Sequence, residues 1–189
     1  MENTVFQSRR VIRKYRQTIN ARPETVFPLL CPVREAEWLD GWCAHMIYSL
    51  SGVIEEGAVF RTSKKGEADT IWIVTKHDAA SKEIQFVRFT PDSRTCVLDI
   101  SVISKGGHQS FVDIAYTYTA IAPKGNDFID GFSEEAFLED VLFWEKSMNY
   151  FLQTGKRLAR HAHPNAAGAY SPRLEKHQGR HRCGPRKQS

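Results

Sequence analysis

The residues of this chain whose types and spacing could do chemistry together are Glu35, Asp40, His45 and Arg61, gathered around Trp38 and Trp42. A buried carboxylate beside an imidazole can move a proton at a carbon next to a carbonyl, which an aldol-type ring closure or a dehydration needs. Glu35 or His45 would be the acid-base group, with Tyr116 or Tyr118 as hydrogen-bond donor to the carbonyl. The plainer reading is that Glu35 caps or pairs structurally and His45 is an ordinary strand residue, and both readings stay open. Arg88 and Asp99 are expected to face each other on neighbouring strands as an outward ion pair.

Metal chemistry is not expected. Cys43-x-His45 and His161-x-His163 each supply two donors, and His177-x3-His181 with Cys183 supplies more near the C-terminus. Structural zinc takes four converging ligands held by a fold, and these donors are scattered. A glycine-rich phosphate loop after a strand, a GxSxG elbow and an HExxH helix are all missing from the sequence. Nucleotide binding, serine hydrolysis and zinc-protease chemistry are therefore unsupported, and no cofactor is expected.

These residues must be held by elements that the hydropathy pattern outlines. Val11–Ile19 alternates as a first strand with one wet face. Pro23 opens a short helix with Val26, Phe27 and Leu30 on its apolar side, and a second short helix carries Arg34–Trp38 until Gly41 breaks it. Six further strands follow, at Ala44–Val53, Val59–Ser63, Asp69–His77, Glu83–Thr90, Thr95–Ile103 and Gln109–Ala122. Short turns rich in Gly, Pro, Asp and Ser divide them, which favours hairpins and an antiparallel meander. Pro123–Phe132 reads as a loop leading into a long helix from Ser133 to about Leu158. Along that helix Phe137, Val141, Trp144, Met148, Phe151, Leu152 and Leu158 form an apolar stripe. Ser133 is its natural N-cap, Glu134 and Glu135 suit its first turn, and Lys156 and Arg157 suit its last.

The predicted fold is α+β: a seven-stranded curved antiparallel sheet wrapped around the C-terminal helix, with two short helices after the first strand. Seven strands make a sheet roughly 30 Å wide, and one helix covers only about 10 to 12 Å of it. Curling hides the remaining apolar face and leaves space between helix and sheet. That space is expected to hold a small hydrophobic ligand, lined by Trp38, Trp42, Trp72, Leu98, Tyr116, Tyr118, Trp144 and Met148. Most of these are rings with one polar tip, which offer apolar area and a hydrogen-bonding handle together.

The order strand, two short helices, six strands, long helix carries a resemblance. With NARPETVFPLLCP, EAEWLDGW, TIWIVTKHD, YTYTAI and FWEKSMNYFLQTGKRL, the stretch from about 10 to 158 resembles the START-like superfamily. Within it, bacterial SRPBCC proteins of the polyketide cyclase/dehydrase type are the most similar, although Asp40 stands where Pro commonly precedes the glycine. The resemblance implies a helix-grip fold with a deep hydrophobic pocket. It also implies one of three roles: binding of a lipid, aromatic or polyketide-like ligand, polyketide cyclase/dehydratase catalysis, or protein interaction as a chaperone co-activator. Fold alone does not choose among them.

Composition bounds the setting. The 189 residues suffice for one domain, taken as 1–159, and a tail, 160–189. From Lys156 onward nine basic residues face the single acid Glu175, a charge of +8; with +4 overall, residues 1–155 carry −4. The tail has almost no large aliphatic residues and is expected to be disordered. It is either a solvated appendage or a weak contact for an anionic partner through counterion release. No membrane span or signal-peptide pattern occurs, so a cytoplasmic protein is expected. Cys31, Cys43, Cys96 and Cys183 form no regular framework and are expected to be reduced. The sequence carries no signal for an oligomeric state.

Overall fold

The computed structural model describes residues 6–64 and 66–160. The expected lone metal donors from His161 onward, and all but the first residue of the expected tail, lie outside them. The fold is α+β. One antiparallel sheet runs in the order β1-β7-β6-β5-β4-β3-β2. Its strands are β1 (Arg10–Ile19), β2 (His45–Tyr48), β3 (Val59–Thr62), β4 (Thr70–Asp78), β5 (Glu83–Thr90), β6 (Arg94–Gly106) and β7 (Gln109–Ala120). β2 to β7 are the expected meander, and β1 closes onto β7 instead of onto its neighbour in sequence.

That topology explains the two short helices. β1 and β2 occupy opposite edges of the sheet, roughly 29 Å apart at the usual strand spacing. α1 (Pro23–Val26), a 3-10 turn (Phe27–Leu30) and α2 (Pro32–Trp38) carry the chain across. Prolines at the first helical positions start each piece, because a proline there sacrifices no intrahelical hydrogen bond. Their buried side, Val26, Phe27, Leu29, Leu30 and Trp38, packs on the sheet. The Trp38 indole N–H donates to the Leu29 carbonyl at 2.9 Å, so burying this ring leaves no orphan donor.

α4 (Glu134–Thr154) is the long helix, about 31 Å at 1.5 Å per residue. Ser133 caps it as expected, its hydroxyl accepting from the Ala136 N–H at 3.2 Å. The C-terminus falls short of Leu158. Gly155 takes a left-handed conformation (φ 67°), and its N–H closes on the Phe151 carbonyl at 2.7 Å. Lys156 and Arg157 therefore stand beyond the helix, and Leu158 leaves the stripe to make a parallel bridge with Leu39. Arg160, counted with the tail on sequence grounds, docks on the domain: its N–H donates to Asp40 at 3.0 Å and its guanidinium pairs with Asp140. α4 is tied to β1 by Gln17, which donates to the Val141 carbonyl at 2.7 Å, and by Asn149, which donates to the Thr18 carbonyl at 2.9 Å.

Four further expectations are corrected. Pro123–Gly131 is a helix, α3, and not a loop. Its composition is poor for a helix, and tertiary contact decides: Gly125 sits so close to the β5–β6 turn that a Cβ would lie 1.9 Å from the Ser93 carbonyl oxygen. β2 covers only part of Ala44–Val53, because Ser49 turns the chain by donating to the Val53 carbonyl at 2.7 Å while Glu55 accepts from the Leu50 N–H. Asp99 pairs in register with Gln85 and accepts its amide at 2.7 Å, whereas Arg88 stands opposite Cys96 on the other face of the sheet. Cys31 and Cys96 are free and buried, but Cys43 is half-buried and disulfide-bonded.

The inner face of the sheet is graded from end to end. Ile84, Ile100 and Ile114 stand side by side across three strands, next to the Val102 and Val112 pair. These residues pack with Ile19, Val26, Leu30 and Met148 in one buried cluster. Toward the other end the rows become Val74, Phe86, Leu98 and Tyr116, then Phe60, Trp72, Arg88, Cys96 and Tyr118, then Thr62, Thr70, Thr90 and Arg94. None of the described helices is long and apolar enough to cross a membrane.

Candidate functional site

The graded face leaves a cavity of about 160 Å³ between its aromatic end and the helices. Strand alternation supplies one wall: Phe60, Trp72, Phe86, Leu98, Tyr116 and Tyr118 all point inward. Helical spacing supplies the other. Pro32 and Glu35 face it from α2, and Phe137, Asp140, Val141 and Trp144 face it from α4 at steps of three and four. Phe128 of α3 and Phe132 after it close one side. The rings interlock: Phe60 stacks on Trp72 at 5.3 Å, Tyr116 on Tyr118 at 5.9 Å, and Phe86 meets Trp72 edge-on at 6.0 Å.

Charged groups gather at one end of the cavity and mostly answer one another. Arg94 and Lys64 each reach Glu67 at 2.9 Å, and Arg160 pairs with Asp140. Burial acts to raise the Glu67 carboxyl, but hydrogen bonds from Lys64 and Arg94 bring it below the usual carboxylate range. Asp140 goes the other way: burial pushes it up, and Arg160 only partly opposes this.

Two groups deeper in the cavity differ. Glu35 is buried, and its carboxyl has no hydrogen-bond or ion-pair partner among the described residues. Burial pushes it well above the usual carboxylate range and so favours the carboxylic acid, the form that can donate a proton or a hydrogen bond. Tyr116 keeps some surface, facing the cavity. Burial pushes its hydroxyl above the ordinary value; Arg88 opposes the shift, and Cys96, Glu35 and Asp140 add to it. Tyr116 is thus a second neutral donor. Arg88 lies against the rings of Tyr118, Trp72 and Tyr116, its guanidinium carbon 4.8, 4.9 and 5.4 Å from their centroids. Acid, phenol and guanidinium around an apolar space can polarise a carbonyl or hold an oxyanion.

Of the residues singled out from sequence, Trp42, Trp72, Leu98, Tyr116, Tyr118 and Trp144 line the cavity, and so do Glu35 and Asp40. Trp38 and Met148 do not: at 0% and 1% exposure they are filled core, one against the Trp144 ring and the other at the aliphatic end. His45 is exposed on edge strand β2 opposite Arg61, and Arg61 pairs outward with Asp69 at 2.9 Å. Neither reaches the cavity, so His45 has no place as proton-transfer partner to Glu35. The inward Arg88 was missed, although Ile84, Phe86, Arg88 and Thr90 alternate on one face and that signal was in the sequence. Among the described residues no group of three or more His, Cys, Asp or Glu converges as a metal site.

No protein-family model matches the chain, and no curated protein matches its sequence. Solved structures do match its fold. Truncated norcoclaurine synthase from Thalictrum flavum aligns over 80% of this chain and 98% of its own at 10% identity, TM-score 0.60. The Zhui aromatase/cyclase from Streptomyces sp. R1128 aligns over 80% and 100% at 11% identity, TM-score 0.54. Ara h 8.0201 aligns over 77% and 99% at 9% identity, TM-score 0.53. These are START-like superfamily proteins, and the chain shares their helix-grip fold. At such identities the likeness is one of fold.

Proposed function

We propose that this protein, a START-like helix-grip domain, binds a small aromatic or polyketide-like molecule in the cavity between its sheet and C-terminal helix. The observation that carries this reading is the aromatic-walled space of about 160 Å³, left open where the aliphatic end of the same sheet is filled. An apolar cavity of about 150 Å³ accepts a benzene molecule, so the space suits a ligand of one or two rings. The fold neighbours lend support. Norcoclaurine synthase has been crystallised with dopamine and hydroxybenzaldehyde, both single-ring aromatics, and another neighbour is an aromatase/cyclase. The test is native mass spectrometry of protein purified from its own host, with titration of an anilinonaphthalene dye. A retained small molecule that the dye displaces is expected. An empty protein that also fails to bind the dye would leave the protein-interaction reading in its place.

A second reading, a cyclase or dehydratase, is favoured by Glu35 and Tyr116, two groups that burial pushes toward their protonated forms and that face the cavity from its helical and its strand wall. Under it, Glu35→Gln abolishes turnover of a polyketone while ligand affinity stays within about threefold. Unchanged turnover would remove Glu35 from any chemistry.

A further inference from the structure

Among the described residues, the cavity contains one charge that no anion answers. Arg88 enters from the middle of β5 and is half-buried. Among the described residues, Glu67 is engaged by Arg94 and Lys64, Asp140 by Arg160, and Asp40 by the Arg160 backbone and by Arg157 at 3.9 Å. Glu35, on the opposite wall, makes no ion pair with Arg88. The three rings around the guanidinium hold it in place and offset part of its desolvation, but a π face is a weak substitute for an anion.

The geometry matches one ligand chemistry. A guanidinium presents its N–H groups as a planar fork, and a carboxylate accepts two of them in parallel. Arg88 is seated among rings, so a group bound to it stands beside an aromatic framework flanked by Trp72 and Tyr116. We propose that the molecule held in this cavity is an aromatic acid, its ring system packed against Trp72 and Tyr116 and its carboxylate paired with Arg88. This rests on the binding reading above and narrows it to a substrate class.

The test uses three probes of one shape on the full chain: 2-naphthoate, 2-naphthamide and naphthalene, titrated by quenching of the tryptophan fluorescence. The acid is expected to bind about tenfold or more tighter than the amide, since a desolvated charge-assisted pair is the difference between them. In Arg88→Met that preference disappears, the acid losing far more affinity than the amide or naphthalene. Arg88→Gln, which retains a donor and loses the charge, must do the same and decides the matter if the methionine variant does not fold. Arg88→Lys should keep part of the preference, because the charge remains and the fork is lost. Equal affinity for acid and amide in the wild type overturns the proposal. So does a preference that survives in folded Arg88→Met or Arg88→Gln, which would assign it to Arg94 or Arg160. If none of the three probes binds, the binding reading itself falls and takes this one with it.

Discussion

The two ends of one sheet face were built for different purposes, although the same strands run through both. At the aliphatic end Ile84, Ile114, Val102 and Val112 meet Val26, Leu30 and Met148 with 0 to 2% exposure, and branched side chains close the gap to the helices. At the aromatic end the rows hold Trp72, Arg88, Tyr116 and Tyr118. Large flat rings stacked on one another, and a guanidinium that resists full burial, cannot interdigitate as branched aliphatics do. The lesson is that one end supplies stability and the other holds the void, so a substitution should act on folding or on binding according to the end it touches.

The largest effect is expected from emptying the filled part. Trp38 is fully buried, and Trp38→Ala should cost about 3 to 5 kcal/mol, read from the denaturant midpoint. A loss under about 1 kcal/mol would mean that the filled core behind the Trp144 ring is loosely packed. Overfilling gives a finer comparison. Met148→Trp, at the filled end, should cost about 1 to 3 kcal/mol and leave dye binding intact. Val141→Phe, on the same helix but lining the cavity, should cost under about 1 kcal/mol and displace the dye. If the two exchanged behaviours, the cavity would lie at the wrong end.

The smallest effect concerns pH. Glu35 has a folded pKa raised above its ordinary 4.5, so the native state binds more protons than the unfolded chain from about pH 4.5 up to the raised value. Stability from this group therefore falls as pH rises through that window and is constant above it. Glu35→Gln removes the dependence, and its stability relative to wild type should be higher at about pH 9 than at about pH 5. A difference independent of pH would place the Glu35 carboxyl in water or against an unseen partner.

Much of the frame was legible in residue order. Alternation marked the strands, prolines marked the short helices, and Ser133 marked the start of α4, because each of these signals acts within a few residues. The end of α4 was also local, since Gly155 was available to terminate it, but the periodic Leu158 concealed the stop. α3 was not legible. Its place depends on the close approach that Gly125 permits to Ser93 and on Phe128 packing against Tyr118, contacts between segments distant in sequence. Choice by ring type put Trp42, Trp72, Tyr116 and Trp144 on the cavity wall but also named Trp38, which is filled core, because a large apolar body with a polar tip suits either place.

What the sequence by itself determined is which residues face inward on each strand and helix, since periods of 2 and 3.6 follow from backbone geometry. It did not determine which inward residues meet. Sequence alone suggests Arg88 facing Asp99, yet the β5–β6 register sets Arg88 against Cys96 and sends the two charges to opposite faces. His45 was grouped with Glu35 by nearness in the chain, yet α2 turns Glu35 into the interior while β2 leaves His45 at the exposed edge. Only the tertiary structure decided where the void falls and which charge is left unanswered inside it, because both depend on how far two packed layers separate, a distance no single segment encodes.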